Sequence, residues 1–316
     1  MNILVTGGAG FIGSHLVKKL IARGNQVIII DNFNDYYDPA LKEARINILL
    51  KGLDFKLYRS DIGDKESLRK IFQENKIDQI CHIAAQAGVR YSIEKPDVYI
   101  QSGIVGTHNL LEMAREFGLK DFVFASSSSV YGNNQKVPFN ETDNVDHPIS
   151  LYAATKKANE LQAHVYHHLY GINCWGLRFF TVYGPWSRPD MAPIKFAKAI
   201  SQGQSIDVYN QGQHRRDFTY IDDIVSGIIS ALDNCQGYEI INLGNNQSVE
   251  LEYFIQLLED NIGKKAIKNY LPLQPGDVLE TYADISKAQK LLNYHPQTKI
   301  EEGIKKFVEW YKEYYK

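Results

Sequence analysis

No apolar run in the 316-residue chain reaches the about 18 residues that a membrane-spanning helix needs, so no membrane span is expected. Charge of one sign is also lacking. The 35 basic and 37 acidic residues leave a net charge of −2, which argues against a general nucleic-acid binder. Cysteine is scarce: Cys81, Cys174 and Cys235 lie far apart, with neither disulfide nor metal-ligand spacing. That excludes a disulfide framework, offers no metal site, and points to reduced core thiols of a cytoplasmic protein. No charged stretch followed by an apolar segment, as in a secretory leader, stands ahead of MNILVTGG. Repeats, low-complexity tracts and long flexible linkers are missing. The C-terminal KKFVEWYKEYYK is basic and aromatic enough for a membrane-surface helix, but a terminal amphipathic helix docked on its own domain is the expectation.

What is present is a repeating pattern. NILVTGG leads into a helix from about Phe11 to Arg23, and QVIIID into a helical stretch ending near Gly52. DFKLYRSD, the helix KESLRKIFQEN, the strand DQICHIAA, a helix near 97–117 and DFVFASS follow. Helix 151–170 then leads to the strand INCWGLRF. This β-α alternation predicts an α/β fold, with a doubly wound parallel sheet of Rossmann type over residues 1–180. A segment near 217–245 is expected to return to that sheet. After Thr181 the pattern loosens into GPWSRPDM, NQGQHRRDF, GNNQS and LPLQPGD. A smaller, discontinuous α/β lobe from 181–216 and 246–316 is therefore expected.

TGGAGFIG places Gly7, Gly10 and Gly13 between a strand and a helix. Glycines there permit a tight turn and a close backbone approach to a pyrophosphate, which the helix N-terminus attracts. The context makes this a dinucleotide site rather than an ordinary glycine turn. Asp31 closes the second strand, QVIIIDN, where an acid accepts bonds from the adenosine ribose and repels a 2′-phosphate. NAD is thus favoured over NADP; the bland alternative is a solvated turn acid. Asp61, after FKLYRS, could meet the adenine edge or cap a helix.

Tyr152 and Lys156 stand at i and i+4 in LYAATKK, on one helical face. Such a pair arises by chance in a chain this rich in both, so its place after a dinucleotide half and a serine-ended strand carries the weight. A phenol acting as a base near pH 7 must recover about 4 kcal/mol. A lysine charge about 4 Å away supplies a similar amount at moderate effective dielectric.

With these elements the chain resembles the extended short-chain dehydrogenase/reductase family, and within it the nucleotide-sugar epimerases. The likeness runs through TGGAGFIG, SSSSVYG, YAATK, LRFFTVYGP, RRDFTYIDD and QPGDVLETYADISKA. It implies tightly held NAD contacted by Gly7, Gly10, Phe11, Ile12, Gly13, Asp31, Asn32, Asp61, Ile62, Ala84, Ala85, Tyr152, Lys156 and Phe180. It implies Ser127 as the hydroxyl that joins Tyr152 and Lys156 in catalysis, against the alternative of a polar strand end. Sugar dehydratases of the family carry an acidic pair at this strand end, and related uronate decarboxylases a glutamate. Here Ser128 and Ser129 stand there, so the oxidised sugar has one evident fate, reduction on its other face: 4-epimerisation.

DNFNDYYDPALKEAR, AAQAGVRYS, FFTVYGPWSRPDM and QPGDVLETYADI are more similar to UDP-glucuronate 4-epimerases than to UDP-galactose 4-epimerases. The likeness implies a UDP-sugar bound by Val89, Arg90, Ser127, Ser128, Ser129, Thr181, Arg188, Arg216, Gln274 and Asp277. Arg188 could clamp the C6 carboxylate through two parallel bonds; its bland alternative is a loop salt bridge with Asp190. Gln274 and Gly103 depart from the family pattern, Gly103 standing where relatives commonly carry Asn. A homodimer through helices near 104–118 and 151–169 is implied by the likeness. Rival expectations are a UDP-hexose or UDP-N-acetylhexosamine 4-epimerase, a non-catalytic NAD(H) sensor, and a simple alcohol dehydrogenase.

Overall fold

The computed structural model describes residues 1–272 and 279–315. The apolar runs form strands β1 (Asn2–Thr6), β2 (Gln26–Asp31), β3 (Lys56–Arg59), β4 (Gln79–His82), β5 (Asp121–Ser127) and β6 (Asn173–Phe179). The order across the main sheet is Tyr238–Leu243, β6, β5, β4, β1, β2, β3. Every neighbouring pair is parallel. The central runs are almost wholly buried, as strands covered by helices on both faces must be. The order reverses between β1 and β4, so a crevice opens there at the carboxyl ends of the strands, where such sheets bind ligands.

Local signals set the helices that face this crevice. The Ser150 hydroxyl accepts the Ala153 N–H at 3.1 Å and starts the helix Leu151–Tyr170, which places Tyr152 in its first turn. Gly171, at φ +66°, ends it. The helix expected near 97–117 is instead three pieces: Pro96–Tyr99, a π-helical turn Ile100–Val105, and Gly106–Glu116. The turn lies where Gly103 packs against the neighbouring helix. A Cβ on Gly103 would sit 3.0 Å from the Thr155 Cβ.

Beyond residue 180, Ser205–Tyr209 pairs in parallel with Ile267–Leu271, and Arg215–Arg216 pairs antiparallel with Val249–Glu250. One apolar cluster runs from Val5 and Leu16 through Val182 and Phe218 to Phe254 and Phe307. The later segments therefore share a core with the main sheet. The C-terminal helix Ile300–Tyr314 buries Ile304, Phe307, Val308 and Tyr311, docked as expected. All three cysteines are buried. Among the described residues no helix is long and apolar enough to cross a membrane.

Candidate active site

A cleft of about 390 Å³ opens over the β1–β4 crevice. Its floor is the turn after β1. The Gly10 N–H donates to the Gly7 carbonyl at 2.9 Å, and Gly10 then begins the helix Phe11–Ala22 without a side-chain cap. A Cβ on Gly13 would overlap that same Gly7 carbonyl oxygen, so only glycine closes this turn. The uncapped helix N-terminus leaves N–H groups for an anion. Phe11, Ile12, Asp31, Asn32, Asp61, Ile62, Ala84, Ala85 and Phe180 all line the same cleft. These residues suit a dinucleotide: a backbone cradle for the pyrophosphate and an acid for the ribose.

Asp31 is buried and more occupied than its sequence position suggests. Its carboxylate accepts the Ala9 N–H at 3.2 Å and the Phe33 N–H at 2.9 Å, and pairs with the buried Lys42 ammonium at 3.3 Å. A carboxylate offers about four acceptor sites, so a ribose hydroxyl can still be received. Asp61 accepts from the Asn32 side chain at 2.8 Å and the Gly63 N–H at 2.7 Å. Lys42 comes from a short helix, Ala40–Ala44, and no local pattern marks it. Nor did any mark Arg45, wholly buried, whose guanidinium donates to the Ala9 carbonyl at 3.2 Å and the Trp186 carbonyl at 2.7 Å. That side chain fastens the glycine turn to the turn carrying Arg188.

The reactive groups meet at the end of β5. Ser127 Oγ accepts the Ser129 N–H at 3.1 Å as the strand turns over. Tyr152 lies against Ser127 and near Arg188. Burial raises its phenol above the ordinary value of 10, while the Ser127 hydrogen bond and the Arg188 charge act to lower it. The Lys156 ammonium donates to the Ala125 carbonyl at 2.7 Å. Its burial lowers its pKa to about 8, with Glu160 opposing. Ser126 takes no part in this group: it donates to Glu160, which is locked to Arg178 by two 2.9 Å bonds. The acids lining the cleft among the described residues, Asp31 and Asp61, lie on the glycine side. Among the described residues no carboxylate lines the serine end.

On the far side, Val89, Ser128, Ser129, Thr181 and Arg188 line the cleft. The Arg188 fork is already engaged: Nε and Nη2 donate to the two Asp190 oxygens at 2.9 and 2.7 Å. Tyr36 adds a third bond to Asp190 at 3.2 Å, and burial raises its phenol to about 12. The salt-bridge alternative for Arg188 is thus realised, although the side chain keeps its place at the cleft wall. Arg90 and Arg216 are not among the lining residues. Arg90 lies over the Tyr209 ring, and Arg216 donates to the carbonyls of Arg215 and Leu279. Gln274 and Asp277 fall outside the described residues. Gln86 and Ser102 also line the cleft, and sequence reasoning missed both.

This arrangement is that of a nucleotide-binding α/β enzyme, and the chain belongs to the GDP-mannose 4,6 dehydratase family, matched over residues 4–307. Relatives narrow the comparison. The UDP-glucuronate 4-epimerase of Thermodesulfobacterium geofontis is 49% identical over 311 residues, covering 98% of this chain and 96% of the relative. UDP-glucuronate 4-epimerase 4 of Arabidopsis thaliana is 48% identical, covering 100% of this chain and 76% of the relative. The crystal structure of the UDP-glucuronic acid 4-epimerase of Bacillus cereus in complex with UDP-glucuronic acid and NAD matches with a TM-score of 0.93 at 38% identity, over 100% of both chains.

Proposed function

We propose that the protein catalyses the reversible 4-epimerisation of UDP-glucuronate to UDP-galacturonate through a 4-keto sugar, with tightly held NAD. The observation that carries this is the serine end of the cleft. Tyr152, Ser127 and Lys156 converge there, and no carboxylate among the described residues lines that end. A dehydratase needs an acid at that end to remove water from the oxidised sugar. With none among the described residues, reduction is the fate of the keto sugar that the site supports.

NAD, when bound, would supply the acceptor for the hydride of the sugar C4 and the donor for its return, so none would be consumed. The chain's own residues do the rest. Ser127 holds the sugar O4 and steadies the proton that Tyr152 removes. Tyr152 requires help, because burial alone disfavours its phenolate. Arg188 is the cation that acts on it; Lys156, one turn along the same helix, is assigned to help, and the positive ring of oxidised NAD would add to both. On the return, Tyr152 gives the proton back to O4 after the keto sugar has turned about its diphosphate. Positioning and charge are the protein's contribution.

The uronate carboxylate is assigned to the hydroxyls of Ser128, Ser129 and Thr181, with Arg188 as counter-charge. Arg188 receives it by exchanging or sharing Asp190. The sugar-binding half is taken as 181–216 and 246–316, which contribute Thr181 and Arg188, and Arg216 for the diphosphate. A homodimer is supported by the exposed stripe Leu161, Val165 and Leu169 along Leu151–Tyr170. A cytoplasmic location fits three free thiols. The test of substrate choice is kcat/KM for UDP-glucuronate, UDP-glucose and UDP-N-acetylglucosamine. UDP-glucuronate should lead; preference for either other sugar moves the assignment to a UDP-hexose or UDP-N-acetylhexosamine 4-epimerase. Sedimentation of Leu161→Glu tests the dimer, which should dissociate.

A further inference from the structure

His82 ends β4, wholly inside the protein, and none of the chemistry above uses it. Its ring nevertheless joins both walls of the cleft. Nδ1 lies 2.8 Å from the Thr6 hydroxyl at the end of β1, and that hydroxyl accepts the Ala84 N–H at 3.2 Å. Nε2 lies 3.0 Å from the Thr107 hydroxyl, which donates to the Gly103 carbonyl at 2.6 Å. The same carbonyl accepts from the Asn159 side chain at 2.7 Å. Asn159 sits on the helix that carries Tyr152 and Lys156, while Ala84 lines the dinucleotide side.

The protons in this chain have one neutral arrangement. A carbonyl only accepts, so the Thr107 proton must point at Gly103. Thr107 then has no proton left for the ring, and His82 Nε2 must carry one and donate it. A backbone N–H only donates, so the Ala84 bond takes a lone pair of Thr6, and the Thr6 proton goes to a bare Nδ1. The result runs without a break from the cofactor floor to the helix of Tyr152. Every link but the part-buried Ala84 bond is buried, where a broken bond costs most.

We propose that His82, neutral and protonated on Nε2, is a positioning residue that holds the Tyr152–Lys156 helix in register with the dinucleotide floor. This rests on the epimerase chemistry proposed for Tyr152 and Lys156. Burial and the nearby Lys156 charge lower the His82 pKa to about 3, which agrees with a neutral ring. Gly103 fits the same scheme. The π-helical turn and the missing side chain let its carbonyl come close enough for Asn159 and Thr107 to share it.

The test uses the holoprotein as purified. Long-range ¹H–¹⁵N correlation spectra of histidine-labelled protein should show His82 as the Nε2–H tautomer. An Nδ1–H tautomer or a doubly protonated ring at pH 7 would overturn the proton order and the proposal with it. Kinetics supply the second arm. His82→Phe keeps a ring but removes both of its bonds, and Thr107→Val removes the hydroxyl's two bonds, to His82 and to Gly103, while keeping the shape. Each should lower kcat by about 10- to 100-fold, the scale of a misplaced reacting group, with KM within about twofold. His82→Gln, which keeps one donor and one acceptor, should recover much of the loss. If Thr107→Val and His82→Phe fold and turn over at the wild-type rate, His82 positions nothing; if His82→Phe does not fold, Thr107→Val decides alone. An absence of epimerase activity in the wild type would sink the proposed chemistry instead, and the tautomer would still report on the chain.

Discussion

The two sides of the cleft are built differently. The dinucleotide side is made of backbone: a turn that only Gly13 can close, an uncapped helix N-terminus, and one acid at a strand end. The side proposed for the sugar is made of side chains, the Ser128, Ser129 and Thr181 hydroxyls and Arg188, and the structure shows the arginines expected there with partners of their own. Arg188 holds Asp190, and Arg216 holds two backbone carbonyls. A backbone site is complete before the ligand arrives. A side-chain site must exchange a resident partner for the ligand, so its affinity is a difference between two pairings.

The sharpest way to break this contrast is Gly13→Ala. One added methyl meets the Gly7 carbonyl, so the variant should purify without dinucleotide and without activity, whereas denatured wild-type protein should release NAD(H). Retention of cofactor by the variant would show that the turn can relax, and release of a phosphorylated dinucleotide from the wild type would overturn the role of Asp31.

Tyr152→Phe comes next. It removes the base and leaves the glycine turn untouched, so turnover should fall by about 10²–10⁴-fold while NAD stays bound. Turnover within a few-fold of wild type would assign the proton to another group.

Arg188→Ala tests the sugar side. Truncating one partner of such a pair costs about 2–5 kcal/mol, or at least about thirtyfold in kcat/KM for UDP-glucuronate. The variant also leaves Asp190 without its cation, so UDP-glucose is the control. Equal losses on both sugars would mean that Arg188 only braces the turn through Asp190. Arg188→Lys should rescue in part, since a point charge lacks the two-pronged geometry.

The smallest effect is in pH. With Lys156 lowered to about 8, its charge is present below that pH and is lost as pH rises through it. Turnover should therefore decline on the alkaline side of about pH 8. Stability should move the other way, because between about 8 and the ordinary 10.5 the unfolded chain binds the extra proton. A rate that stays flat to pH 9.5 would mean that Lys156 keeps its proton or does not assist Tyr152.

The same contrast explains what could be read from the sequence. The parallel sheet, the glycine turn and the Tyr152–Lys156 face follow from local spacing, and the structure has them where the spacing puts them. The π-helical turn Ile100–Val105 was hidden in an ordinary helical pattern, because its cause is contact with a distant helix. Lys42, Arg45 and His82 were invisible for the same reason. Arg45 gains its role from carbonyls 36 and 141 residues away, and His82 from hydroxyls 76 and 25 residues away. Arg188–Asp190 was legible as an alternative because two residues of separation suffice for that pair.

The most direct test of the whole scheme is proton NMR of the purified protein with UDP-glucuronate and no added NAD. Signals of the galacto epimer should grow to a fixed ratio, without build-up of free NADH. Failure to convert UDP-glucuronate, or conversion only as added NAD is consumed, would contradict a 4-epimerase that recycles its own cofactor.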